Sequence, residues 1–201
     1  MINEEIKKQF DDEFNFYKSF HSARGNLFHS GIDYTSDIYK MRNAYNLIDG
    51  VFYSSGYRGE IGNYIQIKHN LKYANKKIDE TFISVYCHLS KIIAPYVFMP
   101  AGTNIGNIGN TGKSLTFDNE EWRPLTEKEI NDPLEKRGVH LHYAIYQVGG
   151  EQNKRLKMTK MLNEILEFNK EIVFTIHPVL LQWGKIYYHP DLVYKYIEAH
   201  A

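Results

Sequence analysis

Gly138-Val139-His140-Leu141-His142-Tyr143-Ala144-Ile145 carries two histidines, two residues apart, among apolar and aromatic neighbours. Their alternation with Val139, Leu141, Tyr143 and Ile145 predicts a β-strand. Successive strand side chains point to opposite faces, so His140 and His142 project together while Leu141 and Tyr143 face the other way. Two imidazoles aimed at one point can serve a metal and a proton. A strand whose polar face merely happens to carry two histidines fits the same pattern, so the stretch decides a β fold before it decides a chemistry.

Just upstream, residues 115–137 are polar. Thr126-Glu127-Lys128-Glu129 has the form of a capping box and predicts a short helix between Pro124 and Pro133. This insertion leads straight into the histidine strand and is either a loop that sets specificity or a neutral surface excursion. Further upstream, Ala101-Gly102-Thr103-Asn104-Ile105-Gly106-Asn107-Ile108-Gly109-Asn110-Thr111-Gly112-Lys113-Ser114 is glycine-rich. It lacks the phosphate-loop spacing, because position 107 is Asn rather than Gly. Its glycines suit tight turns between short strands. Residues 81–86 read as an apolar strand that runs into Tyr86-Cys87-His88-Leu89-Ser90. Residues 51–56 and 63–69 read as strands joined by a turn at residues 59–62, with His69 structural at the end of an alternating run. The lysine-rich residues 70–79 read as a solvated hairpin loop.

In His29-Ser30-Gly31-Ile32-Asp33-Tyr34, His29 and Asp33 lie four apart. An extended segment places both on one face, within reach of one ion; each alone equally suits a surface or turn position. Residues 2–20 predict an amphipathic helix through Ile6, Phe10, Phe14 and Tyr17, and residues 154–170 a second, striped by Leu156, Met161, Leu162, Ile165, Leu166 and Phe168. The end of the chain has a strand-like start at residues 172–176 and a helical finish at residues 192–197. The expected organisation is an N-terminal helical appendage at 1–22, a β core at 23–150 interrupted by the insertion, and a docked helical and extended segment at 151–201.

With 201 residues, 43% hydrophobic and 24% charged, the chain suits one domain with appendages and can bury a core. A net charge of +0 provides no global field to recruit nucleic acid or an anionic membrane. The 16 tyrosines fit strand surfaces. The one cysteine, Cys87, excludes an internal disulfide and a cysteine-based zinc site, and its apolar strand context predicts a buried thiol. Any metal must use histidine and carboxylate. No signal-peptide pattern opens the sequence, and no apolar run of about 18 residues predicts a membrane span.

Four segments occur in one order: His29-Ser30-Gly31-Ile32-Asp33-Tyr34, Tyr86-Cys87-His88-Leu89-Ser90, the glycine-rich run from Ala101 to Gly112, and Gly138-Val139-His140-Leu141-His142-Tyr143. Together they resemble the M23 metallopeptidases, the LytM and lysostaphin-like peptidoglycan endopeptidases. The resemblance implies a mainly β fold, a compact antiparallel sheet core with peripheral helices at both ends. It implies one zinc ion per chain held by His29, Asp33 and His142, with His140 and His88 as unliganded catalytic histidines. It implies hydrolysis of a peptide bond in bacterial cell-wall peptide, a stem-peptide cross-link or an interpeptide bridge, and hence an extracytoplasmic site of action although no export signal is visible. Three protein ligands leave a fourth position on zinc for water. His140, sharing a face with His142, suits a general base; His88 suits support of the base, oxyanion stabilisation or substrate orientation. The insertion at 115–137 departs from the family pattern and puts groove access and substrate preference in question. A catalytically silent or occluded relative that binds cell wall or activates another hydrolase is the alternative.

Overall fold

In the computed structural model the described residues are 15–18, 23–24, 27–35, 43–71, 80–93, 97–118, 121–132, 137–148, 179–182 and 185–199. They form strands β1 (Asn15–Lys18), β2 (Ala23–Arg24), β3 (Leu27–Phe28), β4 (Ile32–Thr35), β5 (Asn43–Tyr45), β6 (Gly50–Arg58), β7 (Gly62–Asn70), β8 (Thr81–Leu89), β9 (Lys91–Ile92), β10 (Phe98–Met99), β11 (Asn104–Asn107), β12 (Leu115–Asp118) and β13 (Glu121–Pro124). Helix α1 (Glu127–Asn131) follows, then β14 (His140–Val148), β15 (Val179–Gln182), β16 (Lys185–Tyr188) and helix α2 (Pro190–Ala199).

β14 is the strand read from the opening stretch, and three partners meet on it. Its first half pairs with β4 and its second half with β16 along one edge, while β8 takes the other edge. All three pairings are antiparallel. The main sheet runs β1-β4-β14-β8-β7-β6-β10, with β16 and then β15 added beside β14. A smaller sheet, β5-β11-β9, carries the glycine-rich region. There Gly112 (φ +80°) and Gly62 (φ +64°) pack so closely that a Cβ on either would collide with the other turn's backbone.

Alternation gives the sheet two unlike faces. Leu141, Tyr143 and Ile145 of β14, Phe82 and Tyr86 of β8, and Ile65 and Ile67 of β7 are buried in one core, and burying each such side chain is worth about 1.5–3 kcal/mol. Leu192, Val193, Tyr194 and Ile197 of α2 join it, and the Tyr194 hydroxyl donates to that of Tyr143 at 3.1 Å. The opposite face carries His140 and His142. His69 belongs to the core as expected: fully buried, it donates from Nδ1 to the Asp49 carbonyl at 3.0 Å and accepts at Nε2 from the Ser84 hydroxyl at 2.7 Å. Burial holds its pKa down at about 4. Cys87 is the expected core thiol, and burial pushes it well up.

Two outer regions differ from expectation. The helical period read over residues 2–20 does not hold at Asn15–Lys18, which are strand β1, paired with β4 through a bulge between Phe16 and Lys18. β4 would otherwise present an open edge, and unpaired backbone groups are costly; the remainder of that helix lies outside the described residues. At the other end, α2 matches the helical finish, but the β15–β16 hairpin had not been read. Its signal was present: two β-prone tetrapeptides separated by Trp183-Gly184, a two-residue glycine-containing link. The helix at 154–170, the strand at 172–176 and the loop at 72–79 lie outside the described residues. In the insertion, α1 starts where the capping box placed it, with Thr126 as N-cap and Glu129 closing the box; a preceding hairpin, β12–β13, had not been foreseen. Among the described residues no helix is long and apolar enough to cross a membrane.

Candidate metal centre

β4 and β14 pair so that Asp33 lies opposite His142. His29, on the bend before β4, closes over the same point. That bend requires Gly31, where a Cβ would collide with the Tyr143 carbonyl. The result is a triangle of donor atoms. His29 Nε2 lies 3.0 Å from Asp33 Oδ1, His142 Nδ1 lies 2.9 Å from the same oxygen, and the two ring nitrogens are 2.9 Å apart. His29 and Asp33 are each 3% exposed. Burial by itself would raise the Asp33 pKa, but hydrogen bonds from His142 and His29 and the charges of His142 and His140 hold the carboxyl well below the usual range. Burial lowers the His142 pKa, partly offset by Asp33.

Three contacts of hydrogen-bond length converge here, yet a carboxylate supplies no proton and each neutral ring nitrogen at most one. Three contacts therefore share two protons at most, while lone pairs are in surplus. Two imidazole nitrogens and a carboxylate oxygen are the donor chemistry that zinc prefers, and three protein donors leave a coordination position open. The residues present fit a metal ion: His29, Asp33 and His142 form a group able to hold one.

His140 and His88 stand beside this triangle and differ from it in how they are held. His140 Nδ1 donates to the Gly138 carbonyl at 2.8 Å, and its Nε2 lies 4.0 Å from Asp33 Oδ1. His88 Nδ1 donates to the Thr111 carbonyl at 2.8 Å. Each bond fixes the tautomer and leaves Nε2 as the unprotonated nitrogen. The two rings lie 4.4 Å apart, centroid to centroid, and His88 is 6.3 Å from His142. Burial, then the charges of His140 and His142, lowers the His88 pKa well below its ordinary value.

Simple alternation would aim His88 away from this group, because its neighbour Cys87 is the residue opposite His142. A bulge re-aims it. Between the pairs Ile65–Tyr86 and Asn63–Leu89, β7 advances two residues and β8 three. His88 takes φ +61°, the left-handed region, and its N–H bonds the Ile61 carbonyl at 2.9 Å. The structure thus brings all five expected residues, His29, Asp33, His88, His140 and His142, to one site. Sequence reasoning missed the supports, the carbonyls of Thr111 and Gly138, since a main-chain oxygen leaves no mark in residue identity. Asn110, 1% exposed, donates to the Arg137 carbonyl at 3.1 Å and holds the chain just before Gly138.

No curated protein sequence matches the chain. Among solved structures, a putative glycyl-glycine endopeptidase LytM from Ruminococcus gnavus is 18% identical with a TM-score of 0.50; the match covers 94% of this chain and 56% of that one. The catalytic domain of lysostaphin from Staphylococcus simulans is 17% identical, TM-score 0.49, covering 76% of this chain and 96% of that domain. The catalytic domain of the prophage-encoded M23 protein EnpA from Enterococcus faecalis is 19% identical, TM-score 0.42, covering 66% and 80%. The likeness to the Ruminococcus protein is one of fold. The model of peptidase family M23 matches residues 27–154, which include every residue of the site. The chain belongs to peptidase family M23.

Proposed function

We propose that the chain is a zinc-dependent endopeptidase that hydrolyses a peptide bond of bacterial peptidoglycan, a stem-peptide cross-link or an interpeptide bridge, and therefore works outside the cytoplasm. The observation that carries this reading is the convergence of His29, Asp33 and His142 within 3.0 Å beside two further histidines with fixed tautomers. His29 Nε2, Asp33 Oδ1 and His142 Nδ1 would hold the ion. When bound, zinc supplies Lewis acidity, polarising the scissile carbonyl and acidifying water. His140 is the general base: its Nδ1–H is committed to Gly138, so Nε2 takes the proton of the attacking water. His88 is held neutral by burial and spends its one N–H on Thr111. Its Nε2 is therefore the nitrogen left to face the site, where it supports the base or orients substrate as a hydrogen-bond acceptor. Residues 23–150 are the catalytic unit, with 1–22 and 151–201 as additions to it.

The alternative, a silent relative that binds wall or activates another hydrolase, requires this machinery to be idle. Mass spectrometry of peptidoglycan of several cross-link types, after incubation with zinc-loaded protein and with His140→Ala, tests the reading. New peptide ends are expected with the wild type alone. Intact muropeptides throughout, with about one zinc bound per chain, would sink the endopeptidase reading in favour of a binding member.

A further inference from the structure

Three consecutive residues of the glycine-rich run hold both histidines that stand beside the triangle. The Gly109 carbonyl accepts the His140 N–H at 3.0 Å, and the Thr111 carbonyl accepts the His88 Nδ1–H at 2.8 Å. Between them, Asn110 grips the Arg137 carbonyl. One short piece of main chain thus supports both rings, whose centroids are 4.4 Å apart. The Thr111 side chain fixes that piece to the sheet. Its hydroxyl accepts from the Asn63 N–H at 2.9 Å and donates to the Leu89 carbonyl at 2.8 Å. Asn63 and Leu89 lie opposite each other in β7 and β8, at one end of the bulge that turns His88. The hydroxyl therefore joins the two strands where their register shifts. The Asn63 side-chain amide donates to the same Leu89 carbonyl at 2.8 Å. Gly62 makes the room, since a Cβ there would collide with the Thr111 carbonyl and hydroxyl.

Thr111 grips His88 from two sides: its carbonyl takes the ring, and its hydroxyl takes the carbonyl of the next residue. His88 needs such a grip. Its φ of +61° is left-handed, a conformation that a non-glycine residue keeps only where its surroundings over-determine it. Its tautomer is imposed as well. A free neutral imidazole favours the proton on Nε2, and the bond to the Thr111 carbonyl places it on Nδ1. We propose that Thr111 is a positioning residue for His88. By tying residues 109–111 to β7 and β8, its hydroxyl holds the Thr111 carbonyl against Nδ1 and so keeps Nε2 bare, in a ring held beside His140.

The tautomer can be read without turnover, by proton–nitrogen NMR correlation of the imidazole rings in the zinc-loaded full chain at neutral pH. The His88 signals are assigned by their loss in His88→Gln. Wild type and Thr111→Ser should each show one tautomer, with Nδ1 protonated and Nε2 bare. Thr111→Val keeps the shape and the main chain but not the hydroxyl, and should show the proton shared between the two nitrogens. If Thr111→Val does not fold, Thr111→Cys, a far weaker donor in the same place, carries the same expectation. An Nε2-protonated ring in the wild type, or a pure Nδ1 tautomer in the variant without the hydroxyl, would overturn the proposal. Turnover gives a second arm, which rests on the endopeptidase reading. In Thr111→Val, kcat should fall about 10-fold with zinc content unchanged, less than the roughly 100-fold that a 1 Å misplacement can cost. Thr111→Ser should restore most of it. An active wild type matched by Thr111→Val in kcat would overturn the role of Thr111 in catalysis. A wild type that cuts nothing removes the endopeptidase reading instead, and the tautomer alone then decides for or against Thr111.

Discussion

His29 and His142 hold each other, whereas His140 and His88 are held by the main chain. In the first pair, the atoms that face the site are spent on one another and on Asp33, 2.9–3.0 Å apart. In the second, one nitrogen of each ring is tied to a carbonyl at 2.8 Å and the other is kept for chemistry. His69 makes a third class, with both nitrogens engaged, by Asp49 and Ser84. The difference teaches how one residue type can be held in three ways. Facing nitrogens that outnumber their protons suit a metal, a single pinned nitrogen leaves the other able to accept a proton, and two pinned nitrogens make a structural strut.

The largest expected effect separates the first two classes. His142→Ala should lose zinc and activity together, because it removes one of three donors. His140→Ala should keep about one zinc per chain and lose roughly 10²–10⁴-fold in turnover, the usual worth of a general base. Metal content by elemental analysis, paired with turnover on the same preparations, checks both. Loss of zinc from His140→Ala would erase the line between the two pairs.

How far these classes were legible in the sequence follows from what sets each one. His140 and His142 were visible because a strand's period of two needs only the order of residues. The spacing of His29 and Asp33 pointed to one site but not by a strand's period: Asp33 lies in β4, whereas His29 reaches the site from the bend at Gly31. His88 was not legible from periodicity: alternation assigns it to the wrong face, and only a bulge and a left-handed φ bring it round. Its place came from resemblance alone. The carbonyls that pin His88 and His140 belong to the backbone, which residue identity does not encode. Asn15–Lys18 was misread because its apolar spacing suits a helix, while the open edge of β4 that claims it is a tertiary fact. The β15–β16 hairpin carried a readable signal that a tract of general apolarity had hidden.

A second prediction sharpens the third class. Burial lowers the folded pKa of His69 from 6.5 to about 4. Its contribution to stability is therefore present above pH 6.5 and is lost as the pH falls towards 4, because the unfolded chain takes up a proton that the folded chain refuses. The shift corresponds to about 3 kcal/mol across that window. In His69→Gln this dependence should vanish, so the stability gap between wild type and variant, measured by urea denaturation, should shrink as the pH drops from 6.5 to 4. A gap that stays constant across that window would show that His69 is not the buried neutral strut described.

The smallest expected effect tests whether the main-chain support of His140 reaches into the insertion. Glu129 is the hub there. It receives Arg123 through both carboxylate oxygens at 2.9 and 2.7 Å, Arg137 at 2.8 Å, and the Thr126 N–H and hydroxyl at 2.8 Å each. The Arg123 guanidinium first, then Thr126, holds the Glu129 carboxyl well below the usual range. Arg137 immediately precedes Gly138, whose carbonyl fixes His140, and the Arg137 carbonyl is itself gripped by buried Asn110. Glu129→Gln keeps the length and the cap oxygen but removes the charge that both arginines share. Turnover should fall by about 2- to 5-fold with zinc content unchanged, in keeping with the modest worth of exposed ion pairs. The fall should lie in kcat rather than KM, because the change acts through the base and not through substrate contacts, and Glu129→Asp should recover part of it. Steady-state kinetics on the three proteins decides. If Glu129→Gln matches the wild type in kcat, residues 115–137 are a surface excursion, and the support of His140 ends at Asn110 and Gly138.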